Sequence, residues 1–164
     1  MNYYPIFLDL RSRPCLVVGG GKRATRKVEG LLSAEADVSV ISPEVTDAIA
    51  GYAQRRKVRL FTRRYQEGDL KGYFLAYAAT GAPEVDLLMA VDANMEGVLL
   101  EVGDRPVLCS FITPAVVQRG DLAIAISTAG KSPGFGRRVK RKIEALINPQ
   151  HEIGFWRLRP SEKH

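Results

Sequence analysis

The chain has 164 residues and a mass of 18.1 kDa, with 46% hydrophobic and 26% charged residues. This length suits one domain with or without a small appendage, and the composition excludes disordered, collagen-like and coiled-coil chains. Lys and Arg total 24 against 18 acids, and the net charge of +6 indicates an anionic partner or a role in solubility. Nucleic acid, an anionic membrane and a polyanionic small molecule all fit this charge.

The N-terminus and the cysteines predict a cytoplasmic protein. The first residues lack the basic region and apolar run of a signal peptide. Cys15 and Cys109 are expected to be two buried thiols in a reducing compartment rather than a disulfide. No apolar run approaches the ~20 residues needed to cross a bilayer. The two histidines are His151 and His164, both near the C-terminus, so no metal site is predicted.

The first half of the chain alternates short β-branched runs with helical patterns, which is typical of βαβ units on a parallel sheet. Five strands are predicted, at residues 15–18, 38–41, 58–61, 74–78 and 98–102. Helices are predicted between the first two strands, from Glu44 to Arg56, and from Ala82 to Gly97. Pro83 suits the first turn of the third helix.

After Val102 the pattern changes. Residues 111–113 and 122–126 predict two strands with a turn around residues 118–121, a hairpin-like unit rather than another βαβ unit. A last helix is predicted to begin at Ser132-Pro133 and to stop at Asn148-Pro149. Its apolar face consists of Phe135, Val139, Ile143, Leu146 and Ile147.

A glycine turn follows the first predicted strand, where residues 19–24 read GGGKRA, a GxGxxA pattern. Gly19 permits the tight turn, and Gly21 leaves room for a pyrophosphate beside the backbone. The helix N-terminus that follows favours an anion. We therefore predict a nicotinamide dinucleotide site that includes Gly20, Lys22 and Arg23. The alternative is a glycine-rich turn without a ligand.

Two other strand ends are expected to complete the nucleotide site. The second strand leads into Ser42-Pro43-Glu44, and Ser42 or Glu44 would replace the carboxylate that usually binds the ribose 2′-OH. No Arg stands at this strand end to receive a 2′-phosphate, which favours NAD over NADP. Thr80, in the loop after the fourth strand, is expected beside the nicotinamide. A plain strand-to-helix loop is the alternative for Thr80.

Basic residues concentrate in two clusters. The first consists of Arg55, Arg56, Lys57, Arg59, Arg63 and Arg64, and the second of Arg137, Arg138, Lys140, Arg141 and Lys142. Each cluster is either a solvated face or part of an anion-binding surface. Neither has an RNA-binding aromatic signature or a recognition helix, so a small polyacid is favoured over nucleic acid as the ligand.

Four motifs, in order along the chain, resemble the precorrin-2 dehydrogenase module of siroheme synthases. They are YPIFLDL at residues 4–10, CLVVGGG at 15–21, GDRP at 103–106 leading into CSFITPA at 109–115, and AISTAGKSP at 125–133. The resemblance implies an α/β fold, with a Rossmann-like parallel sheet, a small α+β dimerisation unit and a C-terminal helix. Residues 1–104 would bind NAD, residues 105–131 would form the dimerisation hairpin of a homodimer, and residues 132–164 the C-terminal helix and tail.

The same resemblance implies an activity, the NAD-dependent oxidation of precorrin-2 to sirohydrochlorin on the way to sirohaem or related tetrapyrroles. Precorrin-2 carries eight carboxylates, which would account for the basic charge without nucleic acid or a membrane. Asp104 matches the family's essential acidic position and is the candidate general base. Candidate substrate-binding residues are Ser110, Phe111, Thr128 and Lys131. Some members also insert ferrous iron, so iron is a further candidate substrate, and a non-catalytic NAD-sensing domain is the alternative function.

The chain departs from the family just before Asp104. The family commonly reads Asn-Val-Val-Asp where this chain has Glu101-Val102-Gly103-Asp104. Glu101 either adds a negative charge beside Asp104 or projects to the opposite face, because alternate strand residues point apart. Thr128 also stands where relatives often have Ser.

Overall fold

The computed structural model describes residues 3–129 and 132–147. It divides into two compact units, one of residues 3–112 and one that starts at Thr113. The strands of the first unit are β1 (Pro14–Val18), β2 (Asp37–Ile41), β3 (Val58–Phe61), β4 (Leu75–Ala78) and β5 (Leu99–Val102). Its helices are α1 (Lys22–Ser33), α2 (Asp47–Gln54) and α3 (Pro83–Glu96).

The five strands form one parallel sheet in the order β3-β2-β1-β4-β5. The order reverses beside β1, since β2 lies on one side of β1 and β4 on the other. This switch point of a doubly wound sheet is where ligands bind, beyond the carboxyl ends of the strands. The five strands predicted from the sequence are all present, each within one residue of its predicted bounds.

The central strand β1 is buried on both faces. Leu16 and Val18 pack in one apolar cluster with Met89 of α3, whereas Val17 packs in the other with Val28 of α1. Each of these side chains is at most 1% exposed. A continuous apolar run of this kind is expected of a strand covered by helices on both faces. The two clusters fix the sheet between its helices and hold the carboxyl ends of the strands in place.

The end of α3 agrees with the sequence prediction, whereas both ends of α2 differ from it. The helix α3 ends at Gly97, which has a left-handed φ of 68°, as the sequence predicts. The predicted span of residues 44–56 for α2 is wrong at both ends. The helix begins only after Thr46, whose side chain accepts a hydrogen bond from Ile49 N, and Arg56 already has a φ of 54°.

The chain after β5 folds back along the free edge of that strand. It forms a short 3₁₀ turn at Pro106–Leu108 and then bonds to β5 through side chains. Ser110 Oγ accepts a hydrogen bond from Leu100 N at 2.7 Å, and Cys109 Sγ accepts one from Val102 N at 3.1 Å. These bonds keep the segment in the first compact unit, so the observed division lies beyond the boundary predicted after residue 104. The roles predicted for the three segments stay predictions.

The predicted strand at residues 111–113 is wrong. The described backbone there is irregular, and the ring of Phe111 meets that of Tyr77 edge-on, with 5.6 Å between centroids. Pro114 follows directly, and a proline has no N–H to donate to a ladder. Packing of one aromatic side chain therefore replaces strand pairing in this segment.

The second unit contains an antiparallel hairpin and a helix. The strands β6 (Ala115–Arg119) and β7 (Leu122–Ile126) pair with each other, and Gly120 in the turn has a φ of 54°. The predicted strand at 122–126 is thus present, with residues 115–119 as its partner. The helix α4 (Pro133–Leu146) packs on both strands, and Ser132 caps it by accepting a hydrogen bond from Phe135 N.

The burial predicted from the sequence holds for Cys15 but not for Cys109 or for two residues of the apolar face of α4. Phe135 and Leu146, predicted on the apolar face of α4, are 52% and 76% exposed. Cys15 is fully buried, and burial raises the pKa of its thiol to about 11. Cys109 is only half-buried, so the prediction of two buried thiols is wrong for this residue, although both cysteines are free. The predicted helix stop at residues 148–149 and both histidines lie outside the described residues.

Candidate functional site

The glycine turn after β1 is held between two neighbouring loops. A Cβ on Gly19 would lie 2.6 Å from the carbonyl oxygen of Ala79, and the φ of Gly19 is 119°. A Cβ on Gly20 would lie 1.8 Å from the carbonyl oxygen of Glu44. Both positions therefore require glycine, one for its backbone conformation and both for space. The turn brings together the loops that follow β2 and β4.

The third glycine of the turn faces open space. A Cβ on Gly21 would meet no atom within 4 Å, and Gly21 is the N-cap of α1. Lys22 and Arg23 form the first turn of the helix, and both are exposed. The first backbone N–H groups of a helix have no partner within it and attract an anion. The described turn fits the pyrophosphate of a dinucleotide, as the sequence predicts.

The loop after β2 contains the residues predicted to bind the ribose. Ser42 is only 6% exposed, and its hydroxyl donates a hydrogen bond to the carbonyl oxygen of Glu44 at 2.6 Å. Its oxygen can still accept, whereas its proton is already used. Pro43 and the Glu44 side chain are exposed. Glu44 is therefore the better acceptor for a pair of ribose hydroxyls.

Thr80 lies two residues beyond β4, in the loop that leads into α3. Its hydroxyl accepts a hydrogen bond from Ala82 N at 3.0 Å and donates one to Asp86 Oδ1 at 3.5 Å. Asp86 is 7% exposed, and burial raises the pKa of its carboxyl, while Arg105 at 3.7 Å opposes that rise. The loop predicted to lie beside the nicotinamide is thus hydrogen-bonded, through Thr80, to the buried carboxyl group of Asp86.

Asp104 lies two residues beyond β5, at the same edge of the sheet. Its side chain is 88% exposed, and Asp104 Oδ2 lies 3.1 Å from Arg23 Nη2. Gly103 makes room for this guanidinium, because a Cβ at that position would lie 2.3 Å from Arg23 Nη1. The candidate base and the first turn of α1 are therefore in direct contact, although 81 residues separate them in the chain.

A second charged pair lies one helical turn further along α1. Lys27 forms an ion pair with Glu101, and its ammonium lies 4.3 Å from the centre of the Tyr77 ring. The Glu101 side chain is 12% exposed, against 88% for that of Asp104. Glu101 and Asp104 therefore both pair with α1, through basic residues one helical turn apart, so the pairing does not support a placement of Glu101 on the face opposite Asp104.

The candidate substrate-binding residues fall in different places. The Ser110 hydroxyl is bonded to the backbone of Leu100, and the Phe111 ring contacts Tyr77. Thr128 belongs to the second unit, where Thr128 Oγ1 accepts a hydrogen bond from Ser132 N at 3.2 Å. Lys131 lies outside the described residues. Their roles toward a substrate stay predictions.

The two basic clusters differ in how far their charges are already paired. Arg59 forms an ion pair with Asp37 at 2.6 Å, and Arg63 forms one with Asp69 at 2.6 Å. The guanidinium of Arg55 lies 5.3 Å from the ring centre of Tyr52. By contrast, α4 borders an open groove of about 780 Å³, whose lining includes Arg137, Arg138, Lys140 and Arg141. The second cluster is the better candidate for an anionic ligand.

Comparison with known families identifies the nucleotide-binding part of the chain. Residues 6–115 match a family model described as putative NAD(P)-binding. The chain belongs to this NAD(P)-binding family. A second model, described as the central part of a sirohaem biosynthesis protein, matches residues 119–146. The glycine turn and the loops around it lie inside the NAD(P)-binding match.

Curated relatives and a solved structure agree with this family. Siroheme synthases from Photobacterium profundum and Methylococcus capsulatus are 43% and 42% identical over 92% and 90% of this chain. The chain spans about a third of the length of these relatives, 32% and 31%. A structure described as "SirC, precorrin-2 dehydrogenase" matches with a TM-score of 0.81 and 28% identity, over 98% of this chain and 84% of that one. The predicted resemblance and the Rossmann-like fold are confirmed.

Sequence reasoning missed two residues of this site. Asp86 lies on the buried face of α3 with Met89 and Ala93, a spacing of three and seven residues that marks one side of a helix. This spacing was a signal in the sequence that could have predicted a buried carboxylate close to the Thr80 loop. Gly103 was noted only as a departure from the family, and no local pattern relates it to Arg23.

Proposed function

We propose that this chain catalyses the NAD-dependent oxidation of precorrin-2 to sirohydrochlorin. The observation that carries the proposal is the placement of Asp104 beside the first turn of α1, at the edge of the sheet where the glycine turn lies. The match to the NAD(P)-binding family and the likeness to a precorrin-2 dehydrogenase support it. The siroheme synthase relatives support the same pathway step.

The residues of this chain divide the work between binding and proton transfer. The glycine turn, Lys22 and Arg23 bind the dinucleotide phosphates, Ser42-Pro43-Glu44 holds a ribose, and Thr80 supports the nicotinamide side. The nicotinamide, when bound, supplies the hydride acceptor. Asp104 accepts the proton that leaves the macrocycle, since a positioned carboxylate can act as general base.

The charge of the chain supports an anionic substrate. Precorrin-2 carries eight carboxylates, and α4 presents Arg137, Arg138, Lys140 and Arg141 along one groove. Phe135, 52% exposed, adds an apolar surface to the same groove. We assign this face of α4 to binding of the macrocycle, and the roles predicted for Ser110, Phe111, Thr128 and Lys131 stay predictions.

Homodimerisation and a cytoplasmic location complete the proposal. Both cysteines are free, which suits a reducing compartment. Among the helices that the structure describes, none combines the length and apolar character needed to cross a bilayer.

Insertion of ferrous iron is a further candidate activity, since the Asp104 carboxylate is able to bind a metal cation. It is tested separately, by adding ferrous iron to the product sirohydrochlorin.

The test is to mix the protein with precorrin-2 and NAD and to follow the absorbance of sirohydrochlorin and of NADH. Asp104→Asn is expected to lower kcat by about 100-fold or more, because a general base contributes roughly that factor. Asp37→Asn is the matched control. Asp37 is also an exposed carboxylate in an ion pair, with Arg59, but it is the first residue of β2 and so lies at the end of the sheet away from the site. Failure of the wild type to turn over, or full turnover by Asp104→Asn, would contradict the proposal. Binding of NAD without turnover would favour the alternative of a non-catalytic sensor.

A further inference from the structure

The ion pair between Arg23 and Asp104 joins two parts of the site that have different tasks. Arg23 is the second residue of α1, in the turn that faces the cofactor phosphates, and Asp104 is the candidate base. One contact holds the pair, with Nη2 and Oδ2 at 3.1 Å, and the side chains are 50% and 88% exposed. An exposed pair of this kind is weak and exchanges readily for another anion.

Gly103 leaves room for this pair. It does not have a left-handed φ, so its backbone conformation does not require glycine. A Cβ there would lie 2.3 Å from Arg23 Nη1, and the other nearest atom of Arg23 would be its Cζ at 3.5 Å. The absent side chain at residue 103, where the family commonly has Val, is therefore the space that the guanidinium occupies.

The same guanidinium belongs to the first turn of α1, where the cofactor phosphates are expected to bind. Gly21 leaves open space at the N-terminus of α1, and Arg23 follows it by two residues. A guanidinium binds phosphate oxygens in preference to a single contact with an exposed carboxylate, because its planar fork can bind two oxygens at once. Asp104 and the pyrophosphate therefore compete for one cation.

We propose that Arg23 is a positioning residue that pairs with Asp104 in the free protein and passes to the pyrophosphate when the dinucleotide binds. This inference rests on the proposed function, because it takes Asp104 as the base and NAD as the cofactor. Binding of the cofactor then releases the Asp104 carboxylate from its ion pair, and a free carboxylate is the form that accepts a proton. In this order of events Asp104 loses its contact with Arg23 when the hydride acceptor binds.

The test measures the affinity for NADH by its fluorescence, without any tetrapyrrole. Asp104→Asn removes the competitor for Arg23 and is expected to tighten NADH binding about two- to fivefold, the range of an exposed ion pair. Arg23→Gln is expected to weaken binding. In the double variant the Asp104→Asn change should have no effect beyond Arg23→Gln alone.

A second variant changes the pair while keeping both charges. Gly103→Ala places a methyl group against the Arg23 guanidinium and should tighten NADH binding as Asp104→Asn does. The matched control is Asp37→Asn, which removes one exposed carboxylate from an ion pair with Arg59 at the other end of the strands. This control should leave the affinity for NADH unchanged.

Each outcome separates this inference from the proposed function. If Asp104→Asn leaves the affinity unchanged, or tightens it equally with Arg23→Gln present, competition for Arg23 is wrong even when the enzyme turns over. If the wild type binds NADH with the expected coupling and does not oxidise precorrin-2, the competition stands and the dehydrogenase assignment falls. Absence of NADH binding by the wild type overturns both.

Discussion

The Asp69 carboxylate shows how one residue organises the loop between β3 and β4. Asp69 Oδ1 and Oδ2 lie 2.8 and 2.6 Å from the two terminal nitrogens of Arg63, and Asp69 Oδ2 also accepts a hydrogen bond from Gln66 N. The bond from Arg63 is the main cause that lowers the pKa of Asp69, and partial burial opposes it. Bidentate geometry makes this pair stronger than a typical surface ion pair.

Asp69→Asn is therefore expected to destabilise the fold by about 1 kcal/mol at pH 7, since it removes a charge-assisted pair that is partly exposed. Because the folded pKa lies below the unfolded one, the wild-type carboxylate stabilises the fold above the unfolded pKa of about 4. That contribution is lost as the pH falls through the folded pKa, so the gap between variant and wild type should close in acid. Urea unfolding at pH 7 and at about pH 3 measures this. Glu67→Gln, an exposed change in the same loop, is the control, and a gap that does not depend on pH would refute the explanation.

At the scale of elements, the edge strand β5 is protected by the segment that follows it. Ser110 Oγ accepts the Leu100 N–H and Cys109 Sγ accepts the Val102 N–H, while Ser110 N donates to Leu100 O at 2.9 Å. An unprotected edge strand offers these groups to another chain. The backbone N–H groups of Leu100 and Val102, two positions apart on β5, are thus covered without a sixth strand. The segment acts as an edge cover as well as carrying predicted substrate residues.

Ser110→Ala tests this cover without any substrate. Loss of the hydroxyl leaves the N–H of Leu100, a residue that is only 2% exposed, without its acceptor. This should lower the free energy of unfolding by about 1–2 kcal/mol. Ser33→Ala is the matched control, because the Ser33 hydroxyl bonds to Glu29 O on an exposed helix surface. Light scattering should also show more self-association for Ser110→Ala. Equal stability of the two variants would contradict the role given to Ser110.

At the scale of the whole molecule, the net charge of +6 is concentrated rather than spread. In the first unit, Arg59 and Arg63 are paired with acids, which leaves less of that cluster available to a ligand. In α4 the groove is lined by four basic side chains, and Glu144 pairs with Lys140 at 3.7 Å. The excess charge therefore lies mainly where the proposed substrate, with its eight carboxylates, would bind.

This distribution predicts a strong dependence of substrate affinity on salt. The KM for precorrin-2 should rise severalfold between about 0.05 and 0.5 M NaCl, because screening weakens attraction between exposed charges. The KM for NAD should rise less, since the dinucleotide carries fewer charges. Steady-state kinetics at both salt concentrations measure the two values. A KM for precorrin-2 that does not change with salt would mean that the basic face of α4 is only a solvated surface.

The sequence by itself determined the features that depend on neighbours in the chain. The strands β1 to β5, the glycine turn at Gly19 and the cap at Gly97 follow from hydrophobic period and from backbone conformations that glycine permits. The family motifs identified the relatives and the acidic position Asp104. These signals are local, so one chain suffices to read them.

Only the tertiary structure decided which distant residues meet. The strand order places β5 two strands from β1, and Arg23 contacts Asp104 although 81 positions separate them in the chain. This contact gives a reason for the absence of a side chain at Gly103, where a Cβ would meet the Arg23 guanidinium. The same packing turned the predicted strand at 111–113 into an irregular segment whose Phe111 ring contacts Tyr77. The physical reason is that hydrophobic period fixes which face of an element is buried, whereas contacts between elements depend on how the sheet orders its strands.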